Sequence, residues 1–138
     1  MSARSKARKR ALDILFEADA KAVPVASVLA ETARRRTVDA QPTLNPYTIE
    51  LVEGVCSNGE AIDAALSDSL EGWTLERLPA VDREVLRLAA FELLFRDDVP
   101  DAVAIDEAVA LATSLSTDES PSFVNGVLGT LTRNKARS

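Results

Sequence analysis

Between Trp73 and Pro100 the chain carries a run, Val85 to Phe95, that is apolar except at Arg87 and Glu92. A helix that is apolar almost all round has to be covered on most of its sides. The run is too short to span a bilayer. Charges also crowd both ends, with Asp82, Arg83 and Glu84 before it and Arg96, Asp97 and Asp98 after it. It therefore reads as the central helix of a small all-helical domain, with the other helices packed around it. Pro79 suits its first turn, where the missing N–H is not needed, and Pro100 is the expected stop. Glu92 and Arg96 stand four apart in the favourable acid-before-base order.

The 138 residues amount to one domain, large enough to bury a core without a metal or a disulfide. No apolar run is long enough for a membrane span, and no export signal leads the chain, so a cytoplasmic protein is expected. The single Cys56 cannot form an internal bridge and is expected to be a buried small hydrophobe. The chain has no histidine. That excludes His-based acid–base catalysis, Ser-His and Cys-His pairs and the usual zinc sites. The glycines are scattered at 54, 59, 72, 126 and 129, which leaves no phosphate-cradling loop. Asp97, Asp98, Asp101 and Asp106 lack the central Gly of a calcium loop and enclose Pro100. No catalytic residue, metal or cofactor is expected.

Charge becomes informative once it is divided. Residues 1–10 hold Arg4, Lys6, Arg8, Lys9 and Arg10 with no acid, a charge of +5, and residues 131–138 add +3. The intervening 11–130 hold 8 basic and 22 acidic residues, giving −14 within a total of −6. The basic start permits nucleic-acid binding that the whole-chain balance would argue against. The acidic body suits a basic protein partner. Cations at a helix N-terminus oppose the macrodipole, so this end is expected to be frayed or held by an anion.

Helical periodicity runs through the rest of the chain. A first helix covers 4–22, with Ala11, Leu12, Leu15 and Phe16 on its stripe, and ends before Pro24. A second covers about 25–36, with Val25, Val28, Leu29 and Ala33 inward and Arg34-Arg35-Arg36 at its C-terminus, where cations are favoured. Asn45-Pro46 signals the start of a third, about 46–70, which Ser57-Asn58-Gly59 is expected to kink or interrupt. Thr74 is placed to cap a short helix through Leu78. After Pro100 a helix over about 102–115 presents Ile105, Ala108, Val109, Ala112 and Leu115. Ser120 as cap and Pro121 as first residue open the last helix, whose Gly126 and Gly129 would allow a neighbour to approach closely. No strand signal appears.

Several stretches resemble the transcription antitermination factor NusB family. They are Ala7-Arg8-Lys9-Arg10-Ala11-Leu12 with Leu15-Phe16, and Val81-Asp82-Arg83-Glu84-Val85-Leu86-Arg87 with Phe91-Glu92-Leu93-Leu94. Beyond Val99-Pro100 come Ala104-Ile105-Asp106-Glu107-Ala108-Val109 and Ser120 to Gly129. The sequence departs from the family pattern at Asp106, Thr113, Ser122 and Gly129; at Ser122 a frequent Lys, and with it one phosphate contact, is lost. The resemblance implies an all-α fold of about seven helices in two sub-bundles, about 4–70 and 74–132, around a central buried helix. It adds a basic RNA-binding arm at 1–10 and a basic tail at 133–138. It implies a factor that binds single-stranded boxA RNA of ribosomal-RNA transcripts together with the ribosomal protein NusE, within the transcription elongation complex. Carried residue by residue, RNA contacts fall on Arg4, Lys6, Arg8, Lys9, Arg10, Glu119, Ser120 and Phe123. The protein partner falls on Phe16, Glu76 and Asp82.

Two other readings stand beside this one. NusB-like domains also occur in front of rRNA methyltransferases, but no cofactor-binding segment is present in these 138 residues. A helical adaptor that binds no RNA is the other. The sequence does not give the oligomeric state, and a homodimer that buries the basic helix is one assembly open to this chain.

Overall fold

Seven α-helices and one 3-10 turn make up the described part of the chain, residues 2–137 of this computed structural model. They are α1 (Ala3–Lys21), α2 (Val25–Val38), α3 (Pro46–Ser57), α4 (Gly59–Ser69), the 3-10 turn Leu75–Arg77, α5 (Ala80–Phe95), α6 (Asp101–Leu115) and α7 (Ser120–Ala136). Met1 and Ser138, the outer limits of the expected arm and tail, lie outside the described residues.

The apolar run forms the interior of α5, which packs against α1, α3, α4, α6 and α7. Val85, Leu86, Leu88, Ala89, Ala90, Phe91 and Leu93 are all buried. Each fully buried Leu contributes roughly 1.5–3 kcal/mol of apolar transfer, so this helix is the principal source of the core. Two sub-bundles share it. α1, α2 and α3 pack together on one side, and α4 and α6 pack with α7 and α5 on the other. α4 thus sits with the second sub-bundle, although the sequence reading grouped it with the first. Asn58 causes that change of side. It closes α3, with both its backbone N–H and its side-chain amide donating to the Gly54 carbonyl, and it immediately precedes α4.

Local chemistry sets the other boundaries. Ser2 Oγ accepts from the Ser5 N–H at 3.0 Å, so α1 has a capped start in spite of its cations. Ala22 takes a left-handed φ of 54° and closes α1 two residues before Pro24. Asn45 accepts from the Tyr47 N–H at 2.8 Å and Pro46 opens α3, as its sequence signal implied.

Several expectations are corrected. Pro79 and Pro100 are the residues just before α5 and α6, and α5 ends at Phe95 because a turn follows, with the Val99 N–H donating to the Arg96 carbonyl. The Thr74 side chain makes no capping bond. Glu119, not Ser120, occupies the cap position of α7. Ala33 and Leu115 are exposed, and the buried face of α6 centres on Ala104, Ala108, Leu111 and Ala112. Cys56 is exposed, because α2 covers only part of the face of α3. A Cβ on Gly126 would meet open space, so that glycine accommodates no neighbour. The close approach occurs at Gly54, where a Cβ would lie 2.2 Å from the Phe91 ring.

Candidate nucleic-acid interface

The five cations of α1 do not share one face. Residues four apart on a helix stack on the same side, so Arg4 and Arg8 turn towards α5 and α6 while Lys6 and Arg10 turn away. Arg8 is buried at 3% exposure. Its guanidinium holds both oxygens of Glu92, at 2.9 and 3.0 Å from Nε, and reaches Glu107 at 3.2 Å. The Tyr47 hydroxyl donates a short hydrogen bond to the same Glu92 carboxylate. Burial, reinforced by that carboxylate, pushes the Tyr47 phenol well above its ordinary value. Burial would lower the Arg8 pKa, but the hydrogen bond and charge of Glu92 outweigh it and hold the guanidinium above its usual range. A buried Arg whose fork is filled by two carboxylates has nothing left to offer a phosphate. Arg8 is therefore corrected from an RNA contact to the residue that fixes α1 on α5. The expected Glu92–Arg96 pair is likewise absent: Arg96 bonds Asp98 and Glu50 instead. Arg4 pairs with Asp98 at 2.9 Å and lies 4.2 Å over the Tyr47 ring.

Lys6 and Arg10 form no ion pair among the described residues, and both are exposed. Together with Ala3, Ala7, Leu44, Asn45, Thr48 and Arg36 they line a depression of about 270 Å³ between α1 and the α2–α3 loop. Lys9 is partly exposed and paired with Asp13 at 2.7 Å. The expected basic tail at 133–138 is largely helical. α7 runs on to Ala136, and Lys135 donates to the Leu93 carbonyl and to Asp101.

The remaining site residues gather at the opposite end of α5. Asp82 is buried and accepts from Ser116 Oγ at 2.6 Å and Ser120 Oγ at 2.9 Å. This pins the α6–α7 turn to the first turn of α5. Asp82 and Ser120 are almost fully buried, and their hydrogen bond holds the turn. They form the floor of a second depression of about 270 Å³, whose walls are Trp73, Leu78, Pro79, Thr117, Glu119 and Phe123. Trp73 is 57% exposed, Glu119 is exposed and Phe123 is half-buried against the core. Phe16, 39% exposed, and the exposed Glu76 lie towards this end. Arg83 joins their elements: it bonds Asp19 of α1 at 2.8 Å and donates to the carbonyls of Glu76 and Leu78.

The fold thus separates the expected RNA contacts into two groups. Asp82 and Glu92 stand ten residues apart on α5, roughly 15 Å along its axis. Lys6 and Arg10 belong to one end, Glu119 and Phe123 to the other. Arg36 and Trp73 line these depressions; in the sequence the Arg34-Arg35-Arg36 triplet had a sufficient explanation in its place at a helix end, and Trp73 was one of only six aromatic residues.

The profile of the NusB family matches residues 5–133. The chain belongs to the NusB family. It is 57% identical over 131 residues to the transcription antitermination protein NusB of Arthrobacter sp. (strain FB24), covering 95% of this chain and 93% of that one. It is 58% identical over 130 residues to the NusB protein of Saccharopolyspora erythraea, covering 94% and 86%. Among solved structures, T. maritima NusB aligns with a TM-score of 0.82 at 32% identity, over 96% of this chain and 92% of that one. A chain from the crystal structure of antitermination factors NusB and NusE in complex with dsRNA aligns with a TM-score of 0.81 at 24% identity, over 95% and 96%, and shares the fold. NusB proteins are transcription antitermination factors and not enzymes. No described helix is long and apolar enough to cross a membrane.

Proposed function

We propose that this chain is a transcription antitermination factor that binds boxA-type single-stranded RNA of ribosomal-RNA transcripts together with NusE, acting on the elongation complex in the cytoplasm. The observation that carries this reading is the NusB match over residues 5–133, together with relatives above 50% identity that are named transcription antitermination proteins. A solved structure that shares the fold holds NusB with NusE and dsRNA.

The two ends of α5 suit two kinds of contact. The unpaired Lys6 and Arg10, with Lys9 beside them, offer cations to phosphates, the sequence-independent part of single-strand binding. The depression at Phe123 contains Asp82 and Glu119 and so disfavours phosphate. Its aromatic lining of Trp73 and Phe123 suits a base face, and Glu119 can accept from a base amino group. Phe16 and Glu76 present an apolar and an acidic contact to the basic partner, and Asp82 supports that surface from beneath. A homodimer covering the basic face would compete with RNA, and sedimentation at two protein concentrations tests it: a concentration-dependent shift supports the dimer.

The test of the function is a titration of a fluorescently labelled boxA RNA strand with the chain alone and with NusE. Binding that strengthens when NusE is added supports the reading. No binding in either arm refutes it.

A further inference from the structure

We propose that Arg36 joins Lys6 and Arg10 in a phosphate-binding cup, so that the RNA backbone crosses from α1 onto the α2–α3 loop. This inference rests on the RNA-binding reading above and names a contact that the reading does not contain.

The cup is assembled from three elements. Lys6 and Arg10 stand one turn apart on the outward face of α1, and Arg36 comes from the last turns of α2. Thr48 Oγ1 donates to the Ala7 carbonyl at 3.0 Å, joining α3 to α1 as the floor. Arg36 Nε donates to the Pro42 carbonyl at 2.7 Å. That bond fixes the plane of the guanidinium and leaves both terminal nitrogens without a carboxylate among the described residues. A planar fork held in this way matches two phosphate oxygens, and preorganisation lowers the entropy lost on binding. Asn45 spends its Oδ1 on the Tyr47 N–H, which leaves its amide NH₂ available to donate. α3 begins beside it, and the positive end of its dipole adds to the field.

Composition gives this cup its weight. The segment 11–130 carries 22 acidic residues, yet no acidic side chain lines the cup. The depression at Phe123 carries two. Arg34, only two residues from Arg36, is already taken by Glu31 at 2.6 Å. The neighbouring arginines of one triplet therefore have different chemistry available to them.

The experiment measures affinity for a labelled single-stranded boxA RNA, with NusE present, near 0.1 M salt. The proteins compared are the full chain and its Arg36→Gln, Arg36→Lys and Arg34→Gln variants, each checked by circular dichroism. Arg36→Gln is expected to lose roughly tenfold, the order of one charge-assisted contact. Arg36→Lys should fall between the wild type and Arg36→Gln, since the charge remains while the two-pronged fork is lost, and Arg34→Gln should match the wild type. Unchanged affinity in a folded Arg36→Gln overturns the cup while leaving RNA binding standing. Equal losses in the Lys and Gln variants, with the melting temperature lowered in both, also overturn it, because they would assign Arg36 to loop support through Pro42. A wild-type chain that binds no RNA overturns the cup and the functional reading together.

Discussion

Glu92→Gln should be among the most damaging single changes of charge in this chain. Glu92 is 1% exposed on α5 and is the meeting point of α1, α3 and α5. It accepts from Arg8 through both oxygens and from the Tyr47 hydroxyl. The amide would leave the Arg8 guanidinium, itself buried, with Glu107 as its only carboxylate. Removing one member of a buried pair typically costs about 3–5 kcal/mol when the other charge is left unpaired; because Arg8 keeps Glu107, the loss should lie near the lower figure. For a chain of this length the unfolding entropy is roughly 0.29 kcal/mol/K, so the melting temperature should fall by about 10 °C. Differential scanning calorimetry reads this directly. The double variant Arg8→Met/Glu92→Leu should recover much of the loss, since an apolar pair of similar volume avoids the desolvation of both ions. A fall of less than about 3 °C in Glu92→Gln would show that the pair is not the clamp argued for here.

Three further outcomes follow from the packing and the charges. Gly54→Ala should destabilise by about 1–3 kcal/mol because its Cβ meets the Phe91 ring, whereas Gly126→Ala, with open space around it, should gain up to about 1 kcal/mol; urea unfolding of both separates the two environments. Asp82→Lys should melt the α6–α7 turn, since it puts an unpaired cation where two serine hydroxyls converge, and loss of NusE binding with no change in the urea midpoint would return Asp82 to the partner surface. Arg96, with Arg4, holds the Asp98 carboxyl down from 3.8 to about 2. A depressed folded-state pKa contributes stability above about pH 4 that is lost as the pH falls towards 2, so Asp98→Asn should flatten the melting-temperature curve across that window, less so at high salt because the carboxylate is exposed.

The central helix was legible because an apolar run around a whole helix, too short to cross a membrane, has to be covered by the other helices of the chain. Asn45-Pro46 and the Ser57-Asn58-Gly59 break were legible because their chemistry is local. What the sequence concealed was which charges pair across elements. Arg8 stood in a basic run and read as a nucleic-acid contact, yet its partners, Glu92 and Glu107, are more than eighty residues away. For the same reason the basic start, which reads as an arm, contains Ala7 and Arg8, both buried, so removing residues 1–10 would cut into the core. Glu92 and Arg96 have helix-pair spacing, but Glu92 points inward and Arg96 lies beyond the last residue of α5. Asp82 and Ser120 carried family signals that mark a surface, and the structure shows them as the fastening beneath it. Gly126 and Gly54 differ only in what faces them, which no local pattern records.

The most direct measurement of the account is the salt dependence of RNA affinity for the wild type and for Lys6→Ala/Arg10→Ala, each with NusE. Both side chains are exposed and form no ion pair among the described residues, so the double variant should keep its melting temperature. Each phosphate contact on a single strand contributes about −0.7 to the slope of log affinity against log salt, so losing two should flatten that slope by about 1.4. The same slope and the same affinity in a folded double variant would contradict the claim that the outward cations of α1 carry the RNA backbone.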